Sequence, residues 1–518
     1  MLKKFCPQLF TSCFMLLLFH GSQAQKFRSS LSETFKADEL NSLVFKSGND
    51  IIMAEVTDNK MQLAYTFKLS KTRYAIKLHR YGGSSKEVKQ NHLFNGERMF
   101  GPLPPLVKVI SNVPYLIYQQ FQEDGKSIQI FASEIDPLEL TIKAPKPLLQ
   151  VDIEKVGLFK LGKLLDKYKL KLELSPDKSK LLCFWSAGID NDYYTSVFSA
   201  SDLKPIWSKK ETVLQASEIL VNTAVVDNNG RVFVSYKQDS EKDLFSNHIA
   251  VCQVGKRPKD IEIKLPEGHR PYQAIIVASK NGRVHIGGTY ATSSSEYLSG
   301  VFYQSLSAEL KLSKVQTTDF TDDLIRHLDK VDKGSWASIR PKKHGLKGIK
   351  MLGYELEDGS LSLIGEFRGL DVRPSGHNAV LSGSMINIHF DGVKTTIGYI
   401  PKFRASFGSS IGDSYYAFPY KNQLLVFYND YEDNLKLDPW EKFDMSNNYT
   451  KTVLVAASMD SDGKIKREKI LDLTEDSFLP VGQDMVPTTD NSLIIPISRI
   501  KKLGGIAEDS KWGTITID

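Results

Sequence analysis

The chain contains 518 residues, of which 41% are hydrophobic and 25% are charged, and it has only four cysteines. These proportions are typical of a folded globular protein and exclude a disordered, collagen-like or disulfide-rich chain. The 67 Lys and Arg against 61 Asp and Glu give a formal net charge of +6, an excess too small to predict nucleic acid as a partner.

The N-terminal 24 residues have the pattern of a secretory signal peptide. Lys3 and Lys4 precede an apolar run centred on residues 14–19, and the small residues Ser22 and Ala24 occupy the positions that a signal peptidase reads. The run is shorter than the roughly 20 residues that span a bilayer. We therefore expect cleavage after Ala24 and an extracytoplasmic mature chain (periplasmic, cell-surface or secreted) without a transmembrane segment.

After the signal, short runs rich in Val, Ile, Tyr and Phe alternate with Asp-Gly, Asn-Gly and Asp-Asn turns. Such turns accept the positive φ angles that tight hairpins require. Examples of paired runs are 115–118 with 128–131, 224–226 with 232–236, and 274–277 with 284–286. Most of the chain is therefore predicted to be antiparallel β-structure.

The spacing of these turns predicts a repeated architecture. Turn centres fall near Asp124, Asp177, Asn229 and Asn281, at intervals of 53, 52 and 52 residues. A four-stranded propeller blade uses roughly 40 to 50 residues. We predict that residues 25–518 form a single all-β domain, a β-propeller of roughly seven or eight four-stranded, WD40-like blades. The alternative is coincidence among the many turns of an all-β protein.

Two cysteines, Cys183 and Cys252, remain after signal cleavage, and each lies in an apolar, strand-like run. We predict two buried thiols; a single disulfide is the alternative in an oxidising compartment. Two cysteines cannot form a Cys-rich metal site.

One segment departs from the β pattern. Thr321 can cap a helix, acids follow at Asp322 and Asp323, and Leu324 and Leu328 share one helical face. We predict a short helical insertion between blades near residues 320–331.

Common catalytic motifs are incomplete. Residues 408–412 match the Gly-x-Ser-x-Gly elbow of serine hydrolases, but no His follows Ser410, whereas that fold places its catalytic His after the Ser. The zincin and phosphate-loop motifs are absent. The sequence therefore predicts no catalytic residue and favours a non-enzyme. Acids from distant blades meet only in three dimensions, so a hydrolase with dispersed carboxylates stays open.

A polar cluster at residues 429–434 follows the apolar run 424–428. Oxygen-rich side chains are the ligands that Ca²⁺ prefers, but the spacing is not that of an EF-hand. We favour a solvated turn and predict no cofactor, with Ca²⁺ as the alternative.

Four segments of the C-terminal third carry a family resemblance: DGSLSLIGEF (358–367), IPKFRASF (400–407), QLLVFYND (423–430) and WGTI (512–515). Over residues 345–518 the chain resembles a family of exported bacterial proteins of unknown function that look like β-propellers. These motifs are structural, so the resemblance implies an exported propeller-like protein and supplies no active-site residues.

These observations favour a non-enzymatic propeller whose loops or central channel bind a protein, peptide or glycan. The alternatives are a carbohydrate-active hydrolase with dispersed carboxylates and a structural component of a cell-surface assembly. Polar side chains that follow the strands of the C-terminal blades are the predicted binding residues, with blade stabilisation as the alternative role: Glu366, Arg404, Asn429 and Asp430.

Overall fold

The chain forms eight antiparallel β-sheets within the residues that the computed structural model describes. Each sheet contains a path of four hydrogen-bonded strands, which is the blade of a β-propeller. The predicted fold is therefore confirmed, with eight blades. The described residues are 27–32, 35–36, 42–47, 50–59, 73–81, 87–92, 105–122, 127–152, 169–186, 192–213, 219–239, 245–292, 298–325, 349–372, 378–402, 404–407, 415–438, 451–473, 478–480, 485–488, 491–500 and 506–518.

Two short strands, β1 (Phe27–Leu31) and β2 (Phe35–Lys36), precede the first complete blade. Blade 1 contains β3 (Ser42–Ser47), β4 (Asp50–Asn59), β5 (Arg73–Tyr81) and β6 (Glu87–His92). Blade 2 contains β7 (Leu106–Ile110), β8 (Val113–Phe121), β9 (Ser127–Asp136), β10 (Thr141–Ile142) and β11 (Lys146–Asp152). Blade 3 contains β12 (Lys169–Leu174), β13 (Lys180–Ser186), β14 (Asp192–Ser199) and β15 (Pro205–Thr212). Blade 4 contains β16 (Ile219–Val226), β17 (Val232–Asp239), β18 (Phe245–Cys252) and β19 (Lys259–Glu262).

The remaining four blades follow in chain order. Blade 5 contains β20 (His269–Ala278), β21 (Val284–Thr292), β22 (Leu298–Leu306) and β23 (Gln316–Asp319). Blade 6 contains β24 (Ile349–Glu355), β25 (Leu361–Val372), β26 (Asn378–Phe390), β27 (Thr395–Ile400) and β28 (Arg404–Phe407). Blade 7 contains β29 (Tyr416–Tyr420), β30 (Gln423–Tyr431), a 3₁₀ helix (Asp433–Lys436), β31 (Thr452–Met459) and β32 (Ile465–Asp472). Blade 8 contains β33 (Phe478–Pro480), β34 (Val486–Pro487), β35 (Ser492–Ile500) and β36 (Ile506–Ile517).

The blades pack face to face, so their central strands are apolar on both sides. In β13, Cys183 and Trp185 pack against blade 2, whereas Leu182 and Phe184 pack against blade 4, because successive side chains of a strand point to opposite faces. Similar hydrophobic clusters fill the spaces between successive blades from blade 2 to blade 8. This two-sided burial explains why the sequence shows continuous apolar runs.

The N-terminal strand closes the last blade. β1 pairs with β36, from Phe27 opposite Ile517 to Leu31 opposite Gly513, so blade 8 has the strand order β1-β36-β35-β33. The ring of Phe27 also packs edge-on against Phe427 of blade 7, with 6.1 Å between the ring centroids. Strands from both ends of the described chain therefore share one sheet.

Hydrogen bonds link the turns that join the first and second strands of successive blades. The amide of Asp177 donates to Asn228 Oδ1 at 3.1 Å, and Asn228 Nδ2 donates to the carbonyl of Lys280 at 3.2 Å. The amide of Asp358 donates to Asn422 Oδ1 at 3.1 Å. We call the turns between the first and second strands of the blades the inner hairpin turns. The hydrogen bonds connect these turns from blade 3 through blade 4 to blade 5, and from blade 6 to blade 7.

The turn spacing predicted from the sequence mixes two kinds of turn. The turns at Asp177, Asn229 and Asn281 are the inner hairpin turns of blades 3, 4 and 5. Asp124 itself lies outside the described residues, in the connection between β8 and β9. The inner hairpin turn of blade 2 is at Ser111 and Asn112 instead. The spacing of about 52 residues is therefore a true blade repeat from blade 3 to blade 5. The interval from Asp124 to Asp177 instead compares two different kinds of turn.

The predicted helix begins where the sequence places it. Residues 322–325 are helical, and Thr321 Oγ1 accepts a hydrogen bond from the amide of Leu324 at 3.2 Å; the rest of the predicted helix lies outside the described residues. Cys183 and Cys252 are buried and unbonded to each other. The predicted signal peptide also lies outside the described residues. Within the described part of the chain, no helix has the length and apolar character needed to cross a membrane.

Candidate functional site

The four predicted binding residues lie within strands, and not after them as the sequence had predicted. Glu366 belongs to β25, Asn429 and Asp430 belong to β30, and Arg404 begins β28 opposite Ser382 of β26. The side chains of Glu366, Asn429 and Asp430 are buried. They therefore occupy the interior of the C-terminal blades.

Glu366 and Asp430 face each other's blade across the interface between blades 6 and 7. Glu366 lies two residues after Ile364, and Asp430 lies two residues after Tyr428; both apolar residues belong to the hydrophobic cluster that joins these blades. Because alternate residues of a strand share one face, both carboxyl groups point into this interface. Sequence reasoning selected both residues without indicating that they share one interface.

A buried ion pair is the centre of this interface. Lys402 Nζ lies 2.6 Å from Glu366 Oε1, and the exposed fractions of the two side chains are 0% and 1%. Ser382 Oγ donates to the same carboxylate oxygen at 2.6 Å and accepts a hydrogen bond from Lys402 Nζ at 2.9 Å. These hydrogen bonds provide the compensation that a buried charge pair requires.

Asp430 has one bonded and one unbonded oxygen. Its Oδ1 accepts hydrogen bonds from the amide of Tyr431 at 2.8 Å and from Asn434 Nδ2 at 2.7 Å. Among the described residues, its Oδ2 is buried without a hydrogen-bond partner. Burial raises the pKa of Asp430 to about 6, although Asn434, Tyr431 and the cations Arg467 and Lys402 act in the opposite direction.

Three side chains of the polar cluster considered for Ca²⁺ have other partners. Glu432 accepts from Lys469 Nζ at 3.0 Å, Asp433 accepts from Lys436 Nζ at 2.9 Å, and Asn429 Nδ2 donates to the carbonyl of Pro480 at 2.8 Å. Within the described residues, no group of three His, Cys, Asp or Glu side chains is placed to hold a metal ion. The geometry assigns these side chains to blade and turn contacts.

A second candidate site is a cavity of about 680 Å³ among the innermost strands of blades 3 to 6. Its wall is formed mainly by β12, β16, β20 and β24, with Pro419 of β29. The lining is largely aliphatic, and Leu352 of β24 is 42% exposed there. We call this space the central cavity.

An acid is held at the end of the central cavity near the inner hairpin turns. Glu355 accepts hydrogen bonds from Ser279 Oγ and, at 3.1 Å, from the amide of Lys280. His285 Nε2 lies 3.7 Å from Glu355 Oε1, and His285 Nδ1 lies 2.9 Å from the hydroxyl of Tyr303. Burial alone would raise the pKa of Glu355, but His285, Ser279 and Lys280 outweigh it and keep that pKa below its usual value.

The opposite end of the central cavity carries neutral and basic groups. Asn222 of β16, Gln273 of β20 and Lys350 of β24 all line it. Lys171 of β12 also lines it, but its ammonium donates to Thr223 Oγ1 at 2.9 Å and to the carbonyl of Ala224 at 2.8 Å.

Sequence reasoning missed the residues of the central cavity. They belong to the first strands of successive blades, which end just before the inner hairpin turns that the sequence had revealed. Those turns were therefore a usable signal. The sequence did not show that the strands before them converge on one axis.

No protein-family model matches this chain, and a search of curated proteins gave no match either. Among solved structures, the chain is similar to the β-propeller domain of the Trilobed protease from Pyrococcus furiosus, at 12% identity and a TM-score of 0.34, covering 87% of this chain and 97% of that one. It is also similar to the Dos1 propeller, at 10% identity and a TM-score of 0.41, covering 94% of this chain and 95% of that one. A third similar structure is polysaccharide lyase Uly1, at 10% identity and a TM-score of 0.40, covering 94% of this chain and 100% of that one.

Proposed function

We propose that this protein is an exported, non-enzymatic β-propeller that binds a short peptide segment in its central cavity. The observation that carries the proposal is the cavity itself, about 680 Å³ of largely aliphatic space with polar groups at both ends. Concave, mostly apolar sites with a few placed polar groups are the usual form of ligand pockets. The innermost strands also present sheet edges, whose backbone groups can hydrogen-bond to peptide amides.

The test uses the purified mature chain and a mixed library of N-acetylated tetrapeptides with free and amidated C termini. Peptides retained through gel filtration are identified by mass spectrometry, and the affinity of the best is measured by calorimetry. Leu352→Trp fills the cavity and should weaken binding at least tenfold. Val393→Trp adds the same side chain at a position 92% exposed and should change affinity less than twofold. A library from which nothing is retained would refute peptide binding.

Export is part of the proposal. Cleavage after Ala24 leaves β1 intact, because that strand begins at Phe27 and supplies the edge of blade 8. The extracytoplasmic form should therefore begin at Gln25, as intact-mass measurement of protein from the periplasm or medium would show. A chain that stays in the cytoplasm with its first 24 residues attached would contradict this part.

A carbohydrate-active hydrolase is the second candidate, because Glu173 and Glu355 both line the central cavity. A glycosidase needs one acid whose pKa is raised so that it can donate a proton. The pKa of Glu355 is lowered instead, and Glu173 Oε2 lies 3.4 Å from Lys171 Nζ. We therefore favour binding. Turnover of a glycan panel that disappears in Glu173→Gln would reverse this preference.

A further inference from the structure

Three polar side chains lie at one depth in the central cavity. Lys350 and Gln273 each stand five residues before the last paired residue of their strand, and Asn222 stands four before its own. The strands β16, β20 and β24 come from successive blades, so these side chains occupy neighbouring positions on the wall. All three carry N–H donors.

Two of these strands have β-bulges at this depth. The pairing of β16 with β17 shifts between Val221 and Thr223, at Asn222, and the pairing of β20 with β21 shifts between Pro271 and Gln273. Bulges redirect side chains and are frequent beside functional sites. Among the described residues, Asn222 Nδ2 is buried without a hydrogen-bond partner. A ligand with an acceptor oxygen could satisfy this donor.

Lys350 supplies the charge. Within the described residues, its ammonium makes no hydrogen bond or ion pair, whereas the cavity acids Glu173 and Glu355 already face Lys171 and His285. Leu352 lies two residues further along β24 and therefore on the same face. An anionic group at Lys350 would thus place an attached aliphatic group beside the exposed Leu352.

We propose that the central cavity recognises the free C-terminal carboxylate of a peptide whose last side chain is aliphatic; this rests on the proposed peptide binding. Lys350, Asn222 and Gln273 donate to the carboxylate, as in the capture of peptide termini by clustered donors. Leu352 contacts the last side chain. The innermost strand edges bind the preceding amides, which distinguishes a peptide from a fatty acid.

The experiment compares two libraries of N-acetylated tetrapeptides ending in Leu, Ile or Val, one with free and one with amidated C termini. The native chain should bind the free acids at least tenfold more tightly. Lys350→Gln should weaken free-acid binding about tenfold, to the level of the amides. Lys264→Gln, at an exposed lysine two residues after β19, should leave both affinities within twofold, and matching melting temperatures would show that Lys350→Gln is folded.

The outcomes separate this inference from the function on which it rests. Equal binding of both libraries would overturn carboxylate recognition while peptide binding stands. Binding of neither library would overturn both. Laurate has a carboxylate and an aliphatic chain but no amides, and it should bind at least tenfold more weakly than the free-acid peptides. If laurate binds as tightly as the free-acid peptides, the assignment of the ligand as a peptide is overturned.

Discussion

Lys402 and Glu366 form a charge pair that is cut off from water on every side. Removing one member of such a pair leaves an uncompensated buried charge, which typically costs about 3–5 kcal/mol. The neighbouring hydroxyl of Ser382 bonds to both groups and cannot replace either charge. This residue pair is therefore a structural determinant of the interface between blades 6 and 7.

Lys402→Met should lower the free energy of unfolding by about 3–5 kcal/mol, measured by denaturant titration. Replacing both partners, as Lys402→Met with Glu366→Leu, should recover much of this loss because the charge of Glu366 is then removed together with that of Lys402. Lys436→Met removes the exposed lysine that pairs with Asp433 and should have no measurable effect. A Lys402→Met chain as stable as the control would refute the importance of this pair.

Asp430 gives the same interface a dependence on pH. An aspartate in an unfolded chain has a pKa of about 3.9, whereas burial raises the pKa of Asp430 to about 6. Between these values the folded state binds the additional proton, so the contribution of Asp430 to stability is greatest at low pH. It is lost as pH rises through about 6, at about 1.4 kcal/mol for each unit of pKa difference.

Asp430→Asn removes this titration and keeps an oxygen that accepts from Tyr431 and Asn434. The melting temperature of the variant, relative to the native chain, should therefore rise between pH 4.5 and pH 7.5. Thermal unfolding in buffers of constant ionic strength measures the difference. If the melting temperatures of the native chain and the variant change in parallel over this pH range, Asp430 is not the source of the pH dependence.

At the scale of elements, β20 and β21 approach each other too closely for a side chain at Gly288. A Cβ built on Gly288 would lie 1.8 Å from the carbonyl oxygen of Gln273. This contact is beside the bulge at Tyr272. A side chain at position 288 would therefore displace the backbone of β20 at Gln273, which lines the central cavity.

Gly288→Ala should destabilise the protein by about 1–3 kcal/mol or more, because the backbone of β20 must move. It should also weaken the proposed peptide binding through displacement of Gln273. Gly392→Asn is the matched control, since no atom lies near its Cβ and Asn tolerates the positive φ of 91°. Equal melting temperatures for the two variants would show that the strands can separate without cost.

At the scale of the whole molecule, β1 decides whether blade 8 is complete. Its five residues pair with β36, Ser29 Oγ donates to the carbonyl of Ile470 in blade 7 at 3.0 Å, and Ser32 and Trp512 exchange hydrogen bonds. Loss of β1 would expose the edge of β36, and an exposed edge is a template for aggregation.

A chain that begins at residue 33 should melt several degrees below one that begins at Gln25 and should elute partly as aggregate. The physical reason is the loss of β1 pairing together with the packing of Phe27 on Phe427. Differential scanning fluorimetry and size-exclusion chromatography measure both effects. Identical behaviour of the two chains would mean that β1 does not contribute to ring closure.

Local sequence determined the strands and several of the turns. Inner hairpin turns at Asp177, Asn229 and Asn281 were predictable because Asp, Asn and Gly favour the backbone angles of tight turns. The continuous apolar runs between them follow from burial on both faces, as in β13. The helix cap at Thr321 was also predictable, because its hydroxyl accepts a hydrogen bond from a residue only three positions further along the chain.

Tertiary structure alone decided which side chains meet. Glu366 and Asp430 are 64 positions apart in the chain and share an interface only because blades 6 and 7 pack together. Asn222, Gln273 and Lys350 reach one depth of the central cavity because three strands converge and two carry bulges. Local propensities fix turns and strands through neighbouring residues, whereas these sites depend on contacts between distant blades, which no local pattern encodes.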